Sequence, residues 1–439
     1  MMHVDTLITN GTLVTVNPDF DIIENGVIGI REGRIVHIGE ENSIPLEAGE
    51  IRNAQGAIVL PGLVNTHTHL PMSLFRGLAD DLPLMTWLNE HMFPAEAAHV
   101  APDSVRAGTL LSCAELLLSG TTTCCDGYFF EDVVAQAVLE AGMRAVLGQG
   151  VIDFPAPGVP DPRDNVAHAV RFMEKWQNRS PLITPSIFCH SPYTCSADTI
   201  QKAKAAAEAK GSLFQIHAAE TQTELVQIQE AHGASSIGYL NRLGVLNART
   251  LLVHTIWVNA EDIALIARQN APVSVTTESE MKLASGIAPI SAFLTAGITV
   301  GLGTDGCASN NNQDMFQEMD MTAKLHKAHL LDPTVLNAES VLRLATLGGA
   351  AALGMADSIG SLEVGKQADL ILIDTRQPHL TPMYSPVSHV VYAAKGADVR
   401  EVMVAGKWRV KNGKLVDLDV EDILKRASAW GRVIARGKS

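Results

Sequence analysis

With 439 residues, 46% of them hydrophobic and 18% charged, the chain has a globular composition and enough length for a large core plus a smaller second unit. Its formal net charge is −15 and it holds no block of Lys or Arg, which argues against a nucleic-acid polymer or an anionic membrane as partner and leaves a small substrate open. No apolar run approaches the roughly 18 residues that span a bilayer, and the start MMHVDTLITNG, with Asp5 in it, does not read as a secretory signal.

The first stretch reads as short strands broken by turns: DTLITNGTLVTV, GVIGIREGRIVHIG and GAIVLPG, with Asn-Gly, Glu-Gly and Pro-Gly as punctuation. The same texture returns in GKQADLILIDT and REVMVAGKWRVKNGKLV. One small β-sandwich domain built from both termini is therefore expected, from residues 1–58 and 365–439, the second part ending in a helix. Between them, over 59–364, short apolar runs alternate with helical stretches such as APDSVRAGTLLSCAELLLSG. Eight candidate strands appear in order: IVLPGLVNTHTH, TTTCCDG, RAVLGQGV, LITPSIFCH, SLFQIHAAE, TLLVHT, PVSVTT and ITVGLGTD. Eight strand-helix units predict an α/β fold, a (β/α)8 TIM barrel. A doubly wound open sheet is the alternative, but no GxGxxG follows the first strand, and polar residues cluster where barrel sites are built. The six cysteines, Cys113, Cys124, Cys125, Cys189, Cys195 and Cys307, form no CxxC pair. Buried thiols in a reducing cytoplasm are expected, with a disulfide framework as the alternative.

The chemistry-bearing residues follow the same chain order. His67 and His69 end the first barrel strand two residues apart, so strand alternation puts both imidazoles on one face, a natural chelate for zinc or iron. His217 ends the fifth strand, His254 the sixth and Asp305 the eighth. Such groups converge on one barrel mouth, where burying them without a shared partner is costly and a divalent ion supplies one. Glu220 lies three residues beyond His217, placed to take a proton from water at the ion and pass it to a substrate. Glu224 reads as an exposed loop glutamate.

Over almost its whole length the sequence resembles the amidohydrolase superfamily, and more narrowly the 5'-methylthioadenosine/S-adenosylhomocysteine deaminases. The resemblance rests on PGLVNTHTHLPMSLFRGLADDLPLMTWLNEHMFPAE, HSPYTCS, HAAET, KLASGIAPI and GTDGCASNNN. It implies one metal ion, held by His67, His69, His217 and Asp305; strand four ends in Cys189-His190, where binuclear members have a carboxylated lysine. It implies proton shuttling by Glu220, orientation of the attacking water by His254, and a nucleoside pocket lined by Trp87, Glu96, His190 and Ser309. Where homocysteine-binding members can place an arginine after strand three, this chain has Gln149, and Arg163 is the nearby positive candidate. That favours methylthioadenosine, 5'-deoxyadenosine or adenosine over S-adenosylhomocysteine. The family's HCPxSNLKL run after strand seven is VTTESEMKL here, with Val275, Thr276, Thr277 and Glu280 in place of His, Cys, Pro and Asn. The expected activity is hydrolytic deamination of an adenine nucleoside. The metal site alone leaves open guanine, pterin, cytosine or chlorotriazine as substrate, and a non-catalytic barrel is the alternative from another class. A homo-oligomer is compatible with the sequence.

Overall fold

The computed structural model describes residues 2–40 and 46–436. Two sheets organise the chain. One has nine strands and is mixed, in the order 414–415, 407–411, 399–404, 370–373, 58–61, 2–14, 22–31 and 34–40, with Leu46–Asn53 also paired along Met2–Val14. Its central joint is antiparallel pairing of Ile58–Pro61 with Leu370–Ile373, which stitches the two ends of the sequence together. Alternating apolar residues from both ends, among them Ile8, Leu13, Ile28, Leu370, Leu372 and Met403, form a single buried cluster.

The other sheet has eight parallel strands in strict sequence order: β1 (Leu63–Thr68), β2 (Thr121–Tyr128), β3 (Arg144–Val151), β4 (Ile183–Cys189), β5 (Phe214–Ala218), β6 (Thr250–His254), β7 (Val273–Val275) and β8 (Val300–Leu302). Nearly every residue of these strands is buried on both faces, as parallel strands require. Helices separate consecutive strands, for example Asn165–Trp176 between β3 and β4 and Ala260–Gln269 between β6 and β7. Their starts are set by side-chain caps: Ser196 accepts from Thr199 N–H, and Asn259 with Asp262 forms a reciprocal capping box. The chain thus adopts the expected (β/α)8 barrel with a separate mixed sheet from its termini. Just past β8 the chain returns to β1, where Asp305 N–H donates to the His67 carbonyl at 3.0 Å. Gly303 permits this approach, because a Cβ there would sit 2.7 Å from the His67 nitrogen.

By contact density the chain divides into Met1–Asn65, Ala114–Thr123 and Asp314–Leu418 as one compact unit, and Thr66–Cys113, Cys124–Gln313 and Asp419–Ser439 as the other. The helix Val420–Arg436 belongs to the second unit. All six cysteines are buried and none is in a disulfide. Among the described residues no helix is long and apolar enough to cross a membrane.

Candidate active site

The C-terminal ends of three barrel strands, β1, β5 and β8, bring His67, His69, His217 and Asp305 together. One ring nitrogen from each of the three histidines lies within 4.8 Å of the other two, and Nε2 of His67 and Nε2 of His217 are 3.2 Å apart. Asp305 Oδ1 stands 3.6 Å from His67 Nε2 and 3.4 Å from His69 Nε2. The backbone beneath is interlocked: Asp305 N–H bonds the His67 carbonyl, and His217 N–H bonds the His190 carbonyl at 3.1 Å. Asp305 and His254 both adopt left-handed backbone, with φ of 61° and 70°. Such conformations cost a non-glycine residue about 1 kcal/mol or more and persist where surrounding structure enforces them.

This donor set fits a divalent metal. The Gly127 carbonyl, 2.6 Å from His69 Nδ1, can only accept, so Nδ1 carries the hydrogen and Nε2 presents its lone pair to the cluster. Burial pushes His67 down to about 4 and His217 well below the ordinary histidine range, so both rings are neutral and able to ligate. Burial alone would raise Asp305, but its hydrogen bond to His67 and the facing imidazoles hold it well below the usual carboxylate range. Ser279 Oγ and Ser309 Oγ donate to Asp305 Oδ2 at 2.6 and 2.8 Å, fixing the carboxylate plane. Three imidazole nitrogens and one carboxylate at a barrel mouth are the ligands that zinc takes.

Glu220 sits beside this cluster and is buried. Burial raises its carboxyl to about 7; Asp305, Glu224 and Glu280 add to the shift while His254 opposes it. His254 Nε2 faces Glu220 Oε2 at 3.9 Å. Burial works against charge on His254, yet Glu220, Glu280 and Asp305 outweigh it and hold its pKa up at about 9. Glu224 is not the exposed loop residue expected. It is 1% exposed and clamps the turn beneath Glu220, accepting from Ala219 N–H at 2.7 Å, Glu220 N–H at 3.0 Å and Ser236 Oγ at 2.6 Å. Its position as the third residue of helix Gln222–His232 lets it reach back over the strand end, which spacing alone does not reveal.

A cavity of about 360 Å³ opens from these groups, within the range of small-molecule sites. Trp87, Glu96, His190 and Ser309 all line it. Trp87 begins a π-helical turn, Trp87–Met92, and donates its indole N–H to the Ala79 carbonyl at 3.1 Å, which fixes the ring. Glu96 accepts from Tyr128 Oη at 2.5 Å, and burial raises its carboxyl. His190 is kept neutral, lowered to about 3 by burial with His69 and His67 adding to it, and its Nδ1 meets Thr194 Oγ1 at 3.0 Å. Gln149 and Arg163 do not join this group. Gln149 points away to accept from Glu131 N–H at 3.2 Å, and Arg163 is an exposed side chain paired with Asp161. Neither lines the cavity. Tyr128, Phe93 and Phe154 were not singled out from the sequence. Tyr128 ends β2, so the strand-end rule used for the histidines would have found it; the two phenylalanines, stacked edge-to-face at 5.7 Å, carry no such signal.

Comparison with known proteins agrees with this geometry. The Amidohydrolase family matches residues 58–409. A 5-methylthioadenosine/S-adenosylhomocysteine deaminase of Syntrophobacter fumaroxidans is 44% identical over 98% of both chains. A 5'-deoxyadenosine deaminase of Methanosarcina acetivorans is 41% identical over 99% of this chain and all of that one. A solved adenosine deaminase from Xanthomonas campestris with bound zinc superposes with a TM-score of 0.97 at 37% identity, covering 99% of each chain.

Proposed function

The chain belongs to the amidohydrolase family, and from that premise we propose that it is a metal-dependent deaminase of adenine nucleosides, converting them to the inosine-type product and ammonia. The observation that carries this is the buried Glu220 standing over a three-histidine, one-aspartate cluster at the floor of a cavity sized for a small molecule. His67, His69, His217 and Asp305 would hold a single divalent ion, zinc by the precedent of the Xanthomonas campestris structure. When bound, the ion supplies Lewis-acid activation of water.

Glu220 is then the proton carrier. A carboxyl poised near neutrality accepts the proton of the attacking water and returns it to the ring nitrogen beside the amine-bearing carbon. The water oxygen bonds that carbon and ring aromaticity is lost; the amino group then takes the second proton of that oxygen, the carbon–amine bond breaks, and ammonia leaves as the carbonyl forms. His254 hydrogen-bonds the attacking oxygen through Nε2 and aims it. The neutral His190 contacts a ring nitrogen, Glu96 takes the ribose hydroxyls, and Trp87 packs against the purine or its 5' group.

Beyond the reacting end the cavity is walled by Leu84, Leu88, Met92, Phe93, Ile152 and Phe154, and neither Gln149 nor Arg163 reaches it. No Lys or Arg lines it among the described residues, so nothing there pairs with a homocysteine carboxylate. We therefore assign the preference to adenosines with an uncharged 5' group: methylthio, deoxy or hydroxyl. An ammonia-release assay on methylthioadenosine, 5'-deoxyadenosine, adenosine, S-adenosylhomocysteine and guanine tests both levels. Turnover of the first three ahead of S-adenosylhomocysteine is expected. Turnover of guanine alone would overturn the substrate class, and S-adenosylhomocysteine in first place would overturn the preference.

A further inference from the structure

Two of the four departures from the family run after β7 converge on one atom. Thr276 and Glu280 stand where the family has Cys and Asn, and both face Nδ1 of His254. Thr276 Oγ1 lies 3.0 Å from Nδ1, and Glu280 Oε1 lies 3.5 Å from it. Thr276 in turn donates its hydroxyl to Glu280 Oε1 at 3.4 Å, and its backbone N–H donates to the same oxygen at 3.0 Å. Both residues are buried; Thr276 immediately precedes the short helix Thr277–Lys282 and Glu280 lies within it. Glu280 Oε1 can only accept, so its approach to Nδ1 across 3.5 Å sets Nδ1 as the donor toward it, and the Thr276 hydroxyl lies within reach of both atoms. Nε2 is then the nitrogen left facing Glu220 Oε2 across 3.9 Å.

We propose that Glu280, acting through Thr276, is a positioning residue that fixes the ring of His254 with Nδ1 as donor and Nε2 turned to the reacting carbon. What His254 does with the fixed nitrogen rests on the deaminase reading above; the hydrogen-bond chain does not.

Two measurements on the metal-loaded protein separate these levels. The first is kinetic, with methylthioadenosine as substrate. Thr276→Val and Glu280→Ala should each lower kcat about 10- to 100-fold with KM changed less than about 2-fold. The double variant should be no worse than the poorer single one, because both act through one hydrogen-bond chain. Glu280→Gln keeps an acceptor oxygen and should recover kcat to within about 3-fold of the parent. The second is a long-range 1H–15N spectrum of histidine-labelled protein, in which His254 should show a hydrogen-bonded Nδ1–H that is lost in Thr276→Val and Glu280→Ala and kept in Glu280→Gln. Additive losses, a change confined to KM, or an unaltered His254 spectrum would each overturn the proposal. If Glu280→Ala fails to fold, Thr276→Val and Glu280→Gln carry the same contrast. If no adenine nucleoside is turned over at all, the deaminase reading falls and the spectrum still decides the positioning.

Discussion

The floor of the cavity and its outer wall are made of different material. At the floor every chemistry-bearing side chain comes from the end of a barrel strand or the residues just after it, and polar partners hold most of them: the Gly127 carbonyl on His69, two serines on Asp305, Thr276 and Glu280 on His254. The wall comes from the segment around Leu84–His99 and from residues 150–157, and it is mostly apolar. Floor and wall therefore answer separate questions. On the deaminase reading, the floor sets which bond is broken, and the wall, apolar apart from Glu96 and without a lining Lys or Arg among the described residues, sets which molecule is offered to it.

That division can be broken at either end. The largest effect belongs to the floor. Chelation should abolish ammonia release, and His67→Ala should lose both bound metal, read by elemental analysis, and activity. Glu220→Gln should keep its metal yet lose kcat by about 10²- to 10⁴-fold; near-normal turnover would remove Glu220 from proton transfer. The wall should respond in selectivity instead. Phe154→Arg places a cation on the cavity rim and should raise the kcat/KM of S-adenosylhomocysteine relative to methylthioadenosine by about tenfold, with chemistry on the latter retained. A matching collapse of turnover on both substrates would show that wall and floor are not separable. Gly303→Ala, which crowds the His67 backbone, should destabilise the fold by about 1–3 kcal/mol in denaturant unfolding. Smallest of all, Arg163→Ala should leave the ratio of the two substrates unchanged, since that side chain is 88% exposed and paired to Asp161.

The same contrast explains what could be read from the sequence. Barrel strands alternate and end in signatures, so HxH, His217, His254 and Asp305 were legible as a set before any coordinates, and so were eight parallel strands. The wall has no such grammar. Phe93 and Phe154 meet only because the helix Phe93–His99 and a loop after β3 approach each other, and long-range packing of that kind leaves no local mark. Gln149 shows a subtler limit: expected just after strand three, it lies inside β3, and its side chain answers to Glu131 N–H rather than to the cavity. Glu224 fails for a third reason. It is a carboxylate in the first turn of a helix, where exposure is the ordinary outcome, and it instead folds back to hold a strand end, as Glu280 does at the end of β7.

The joint between Ile58–Pro61 and Leu370–Ile373 has a consequence for how the molecule is made. A ribosome adding about 5–20 residues per second needs roughly 15 to 60 seconds to cover the span between these partners, and until then the early strand has an unsatisfied edge. Nascent chains of this protein thus carry an open β-edge for most of their synthesis, a window in which holdase chaperones would have something to bind and crowded polysomes something to aggregate.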